Sequence, residues 1–225
     1  MPTLPFTKEE FMNPIMENVA KLRRHYSDKR KTSYDKWDFS KLVKKIIGNM
    51  TRNTVATPIE KIYEKFKIKL VELDMKEFGS DDEILGFVIA KNENFQVETG
   101  ESTVVAGVNK TDTLARKRFS AAHEFYHAIF DLKDRMKVAQ NKKFVSSVRI
   151  LGAENCPVQG ENEKKANEFA AQLLMPTKSV TKAYKKTKSV EELASMFGVS
   201  VGNMRIRLSN LGLLEKFDHP NFSLV

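Results

Sequence analysis

RKRFSAAHEFYHAIFDL, residues 116–132, decides how the chain is read. Inside it, His123-Glu124-Phe125-Tyr126-His127 sets two imidazoles four positions apart. On an α-helix that spacing puts both on one face, one turn apart, where they can hold a single metal ion between them. Glu124 lies about 100° further round such a helix, beside the pair rather than opposite it. Two neutral imidazoles to hold an ion, with a carboxylate alongside to take a proton from water, are what zinc hydrolysis needs. The alternative is a half-buried helix whose histidines are satisfied by ordinary hydrogen bonds. Phe125, Ala128 and Phe130 remain to fit the helix to a core.

A third ligand is offered by ENEKKANEFAAQLLMP, residues 161–176. Ala166, Phe169, Ala170, Leu173 and Leu174 recur at three- and four-residue spacing, which predicts a second amphipathic helix, stopped by Pro176. Glu163 and Asn167 form an i, i+4 pair near its start. One carboxylate added to two histidines makes a His₂Glu set with a position left open for water. Glu161 and Glu168 are rivals for that place, and spacing does not choose among the three. A charged first turn also suits the helix dipole without any metal.

The two stretches together resemble the ImmA/IrrE family of zinc metallopeptidases. The resemblance runs through Arg116, Arg118, Phe119, Ser120, Ala122, His123, Glu124 and His127. It resumes at Glu163, Ala166, Asn167, Phe169, Ala170 and Leu173, ending at Pro176. It implies that Glu163 is the third zinc ligand and that Asn167 of the same motif supports the site. The implied substrate is a helix-turn-helix repressor encoded nearby on a phage or mobile element, cleaved to release gene expression. One departure stands out: Tyr126 occupies the place where the family usually has Gly. Its hydroxyl is a candidate donor to the oxyanion that forms during hydrolysis.

The metal stretch is preceded by three strand candidates rich in β-branched residues, Ile68–Leu73, Leu85–Ala90 and Thr103–Val108. Helix, short sheet, metal helix and ligand helix give an α+β class, in the order of a compact zincin-like domain over residues 56–176. A sheet edge near the metal can take up a substrate strand by main-chain pairing, and Thr103, Val104 and Val105 are expected at that edge. Thr111 or Asp112 is expected to cap the metal helix. Thr57-Pro58 predicts a helix running to about Phe66. Residues 133–160 bridge the two metal helices and are expected to overhang the cleft.

Further out, residues 1–55 predict a basic helical extension, with apolar spacing over residues 7–24 and 37–50. The net charge of +9 is unevenly placed: residues 21–70 hold 15 Lys or Arg against 5 Asp or Glu. That asymmetry favours an acidic partner, either nucleic acid or an acidic protein surface, or serves as a solvated basic face. No run of eighteen apolar residues exists, no export signal is evident, and the single cysteine, Cys156, has no second thiol to pair with. These features predict a cytoplasmic protein with no membrane partner.

Beyond Pro176, residues 177–225 predict a separate helical unit. SVEELASMFGVSVGNMRIRLSNLGLL reads as helix, Gly turn, helix, with Leu193 and Ala194 facing Met204 and Leu208. If the unit reads DNA, Asn203, Arg205 and Arg207 are expected near the groove. Otherwise it is an αα packing unit that covers the protease domain or holds a partner. Two functions follow: a zinc endopeptidase with Glu124 as general base, or a DNA- or partner-binding regulator built on the same fold. An intact ligand set with an intact Glu124 favours the enzyme, because a scaffold has no use for the base.

Overall fold

Strands β1 (Lys69–Leu73), β2 (Ile84–Lys91), β3 (Val104–Asn109) and β4 (Phe144–Ile150) form one mixed sheet in the order β1-β3-β2-β4. They belong to a computed structural model that describes residues 37–50, 55–78, 84–91, 104–132, 144–150 and 160–214. β1 runs parallel to β3, and β2 runs antiparallel to both β3 and β4. Alternate side chains of a strand point to opposite faces. Val88, Ala90, Ala106 and Val108 therefore share one face and enter the helical core. Phe87 points to the other face, where its ring occupies the space a side chain on Gly107 would need; a Cβ there would lie 2.0 Å from a ring carbon.

This order corrects the expected substrate edge. Thr103 lies outside the described residues, while Val104 and Val105 begin β3, an interior strand. With β1 on one side and β2 on the other, the β3 main chain is already paired. Among the described residues the edges are β1 and β4. β4 comes from the segment between the metal helices, and it pairs with β2 through a bulge at Ile84/Gly86. Its serines, Ser146 and Ser147, are buried.

Among the described residues, seven α-helices accompany the sheet: α1 (Ser40–Ile47), α2 (Ile59–Lys65), α3 (Leu114–Tyr126), α4 (Gly160–Leu174), α5 (Thr177–Thr187), α6 (Val190–Phe197) and α7 (Val201–Asn210). Helix α3 starts later than expected. Thr111 gives its N–H and hydroxyl to Asn109 Oδ1, closing the turn after β3, so the cap falls to Thr113, which accepts from the Arg116 N–H. The expected helix over 37–50 is α1, and Gln172 ties its approach to α4 by accepting from Phe39 N and donating to Trp37 O. The expected helix at 7–24 lies outside the described residues. No helix among the described residues is long and apolar enough to cross a membrane.

The apolar core is continuous across Pro176. Phe119, Phe125, Phe169 and Leu173 share one cluster with Val180, Leu193, Phe197, Met204 and Leu208. Two arginines reinforce the junction. Arg118 on α3 donates to Gly198 O at 3.0 Å and Thr57 O at 2.7 Å. Gly198 makes the α6–α7 turn at φ +64°, a conformation favourable to glycine, and a Cβ there would also lie 3.0 Å from Arg118 Nε. Arg207 on α7 donates to Met175 O at 3.1 Å and to the Thr177 hydroxyl at 3.1 Å.

Helices α6 and α7 meet at the Gly198 turn, and their inward face takes two of the residues expected near DNA. Asn203 is 4% exposed and Arg207 3% exposed, so neither side chain can meet a groove. Arg205 alone of the three is partly exposed, and it lies 3.8 Å from Glu191. Arg207→Ala is expected to destabilise the protein by about 2–3 kcal/mol, because it strands the Met175 carbonyl and removes the cation beside the Glu168 carboxylate. Urea unfolding measures this; an unchanged midpoint together with lost duplex binding would restore Arg207 to a nucleic-acid role.

Candidate metal centre

Helix α3 lies against the sheet and crosses α4, bringing His123 and His127 of one helix onto Glu163 of the other. Apolar contacts set the register: Phe125 packs on Tyr63, Phe66 and Phe169 with ring centroids 5.6, 5.0 and 6.3 Å apart. With Phe125 turned into the core, the opposite side of the helix carries the polar group. All of His123, Glu124, His127 and Glu163 are buried.

Each imidazole is oriented through its Nδ1. His123 Nδ1 donates to Asn167 Oδ1 at 2.8 Å, and His127 Nδ1 donates to Asp131 Oδ2 at 2.6 Å. These bonds select the tautomers whose Nε2 lone pairs point inward. There His123 Nε2 lies 3.0 Å from His127 Nε2 and 3.1 Å from Glu163 Oε2, and His127 Nε2 lies 3.5 Å from Glu163 Oε1. Two lone pairs and a carboxylate thus converge in the buried interior, an arrangement that favours a cation. Ligand atoms from all three residues fall within 4.8 Å of one another, so the group can hold a metal ion. Two imidazoles and one carboxylate are a donor set suited to zinc.

The electrostatics say the same. Burial alone would lower the pKa of His127, but the Glu163 carboxylate and the bond to Asp131 outweigh it and raise the value to about 10. Glu163 is held well below the ordinary carboxylate range because the two imidazoles outweigh the cost of burying its charge. A site that draws a proton this strongly when metal-free draws a divalent ion for the same reason.

The rival carboxylates face elsewhere. Glu161 is exposed and pairs with Lys165, while Glu168 accepts from Gln172 at 2.7 Å and lies 3.5 Å from Arg207. Tyr126 turns its ring among Phe39, Phe130 and Phe169, at 6.0, 4.8 and 5.6 Å. Burial, then Asp131 and Glu161, push its hydroxyl up to about 12. Its ring also meets His127 edge-on at 5.7 Å, so Tyr126 sits in an aromatic cluster beside the metal group.

Residues 63–209 match the family model Peptidase_M78, described as the IrrE N-terminal-like domain. The chain belongs to this peptidase family. No curated protein matches it. The M78 match takes in both metal helices and the helices α5 to α7, so the continuous core and the family domain cover nearly the same stretch.

Three residues around the M78 centre escaped the sequence reading. Asp131 stands four places after His127, a spacing that was available as a signal. It reaches the ring because residues His127–Asp131 form a π-turn, closed by Leu132 N–H donating to His127 O. Tyr63 donates to Ala121 O at 2.8 Å, bracing the metal helix from 58 positions away, and no local pattern announces it. Gly86, in β2, lies directly against Glu124.

Glu163→Gln is expected to strip metal from the purified chain, whereas Glu161→Gln and Glu168→Gln should retain it. Metal analysis of the three variants decides, and loss with Glu168→Gln alone would show that α4 is turned differently. Protons supply an independent check. In metal-free protein at pH 8 His127 lies below its pKa of about 10 and carries a proton, which must leave when the ion binds. Titration calorimetry in buffers of different ionisation enthalpy should show release of about one proton per ion, with affinity rising as pH increases towards 10; no buffer dependence would contradict the pairing described.

Proposed function

We propose that this M78 peptidase is a zinc-dependent endopeptidase of narrow specificity, acting on a helix-turn-helix repressor of a phage or mobile element. The observation that carries the reading is the convergence of His123, His127 and Glu163 with a fully buried Glu124 beside them. His123, His127 and Glu163 would hold the zinc, whose chemistry would be to polarise a peptide carbonyl and to lower the pKa of bound water toward about 7. Glu124 would accept the proton of the attacking water and deliver it to the leaving amine. Asn167 and Asp131 keep both imidazoles oriented, so the ligands need not reorganise during turnover.

The choice of a repressor as substrate rests on the family resemblance. The basic character of residues 21–70 is consistent with an acidic partner surface or with nucleic acid held near the substrate. A regulator that reads DNA through α7 is the weaker alternative, because Asn203 and Arg207 face inward. β4, as an edge strand antiparallel to β2, replaces β3 as the candidate to receive an extended substrate.

Glu124→Gln should keep both metal and fold while lowering cleavage by about 10²–10⁴. Gln is nearly isosteric but has no basic oxygen at neutral pH. The experiment co-expresses parent and variant with the repressor encoded beside the gene and follows repressor fragments. Equal cleavage by the variant would remove Glu124 from the chemistry and reopen the binding-protein reading.

A further inference from the structure

Gly86 is not required to be glycine by a left-handed backbone. It lies in β2, paired with Val108 on one side and Arg149 on the other, and its φ is not in the left-handed region. Such a strand position ordinarily favours a side chain, since glycine there costs conformational entropy and contributes no packing. The neighbouring space supplies the reason. Gly86 shares the helix-facing side of β2 with Val88 and Ala90, both in the core beneath α3 and α4. A Cβ at residue 86 would lie 2.6 Å from Glu124 Oε1 and 3.0 Å from both its Cδ and Cγ. The carboxylate rests on bare main chain.

We propose that Gly86 is a positioning residue for Glu124: by withholding a side chain, it sets how close the carboxylate lies to the strand and hence to the metal centre. The proposal rests on Glu124 acting as the base. Glu124 is 0% exposed and enclosed by α3 and the sheet, so a methyl group at residue 86 cannot be relieved by a swing into solvent. It must displace the carboxylate by several tenths of an ångström, or move the strand. A misplacement of about 1 Å at reacting groups can cost about 10² in rate, so a shift of several tenths of an ångström costs a smaller but measurable factor. The β-bulge between Ile84 and Gly86 fits the same purpose, because bulges beside active sites re-aim a strand locally.

The test uses the full chain loaded with Co²⁺ and titrated with acetohydroxamic acid, followed by the visible spectrum. This chelator binds a divalent ion through two oxygens, and a neighbouring carboxylate that takes its proton strengthens the complex. Parent, Gly86→Ala, Glu124→Ala and the double variant are compared at equal metal content. Gly86→Ala and Glu124→Ala should each weaken binding about tenfold or more, and the double variant should bind no more weakly than Glu124→Ala alone. Additive losses would overturn the proposal, since Gly86 would then act through packing and not through Glu124. If Glu124→Ala weakens binding but Gly86→Ala does not, the proposal fails while the base reading stands. If neither weakens it, the base reading falls and the proposal with it. Should Gly86→Ala fail to fold, the double variant decides: folding restored by Glu124→Ala establishes the contact, and continued unfolding assigns Gly86 to the sheet alone.

Discussion

Acceptor groups crowded together in the buried interior are the constraint on which this structure depends. His123 Nε2 sits 3.0 Å from His127 Nε2 and 3.1 Å from Glu163 Oε2, with Glu124 buried beside them. Burying such groups without a compensating positive charge costs several kcal/mol per ion. A proton on His127 relieves part of that cost in metal-free protein, and a divalent ion relieves more of it. The centre is therefore coupled to folding. The fold brings the acceptors together, and the cation makes their proximity tolerable.

Everything packed around α3 keeps that arrangement fixed. Phe125 locks into Tyr63, Phe66 and Phe169, Tyr63 braces the helix at Ala121, and Arg118 bridges it to the α6–α7 turn. Small shifts of α3 against α4 would spread the three ligands, and close-packed interiors resist such shifts. The C-terminal helices contribute to the same rigidity. Their apolar residues lie in the core of the metal helices, and Arg207 holds the chain where α4 gives way to α5. With α7 anchored this way, Asn203 and Arg207 are committed to packing and not to an outer surface.

The sheet serves the centre by what it leaves out. At Gly86 the absence of a side chain lets the Glu124 carboxylate lie on the strand, whereas at Gly107 it makes room for Phe87 on the opposite face. Neither glycine has a φ in the left-handed region, and a neighbour fills the space over each. Gly107 lies within the paired run of β3 and Gly86 beside the bulge of β2.

Much of the centre is legible in the chain itself. The i, i+4 spacing of His123 and His127 places them on one helical face whatever surrounds them, because 3.6 residues make a turn. The periodicity of Ala166, Phe169 and Leu173 likewise foretold α4, and the resemblance pointed to Glu163. Local patterns also foretold β1, β2, β3 and the α6–α7 turn, but not the sheet order. Strand order depends on pairing between distant segments, so the reading put the edge at Val104 and Val105, where β3 is interior, and did not foresee β4. The same limit applied to Asn203 and Arg207, whose inward direction is set by packing on α4 and α5. Sequence determined which residues could ligate a metal and that Glu124 stands on the same helix beside them, because those are properties of a single helical turn. Tertiary structure decided that Glu163 and not Glu161 or Glu168 faces the imidazoles, that Asp131 and Asn167 orient them, and that Gly86 seats Glu124. Each of those facts is a distance between elements, which no local periodicity encodes.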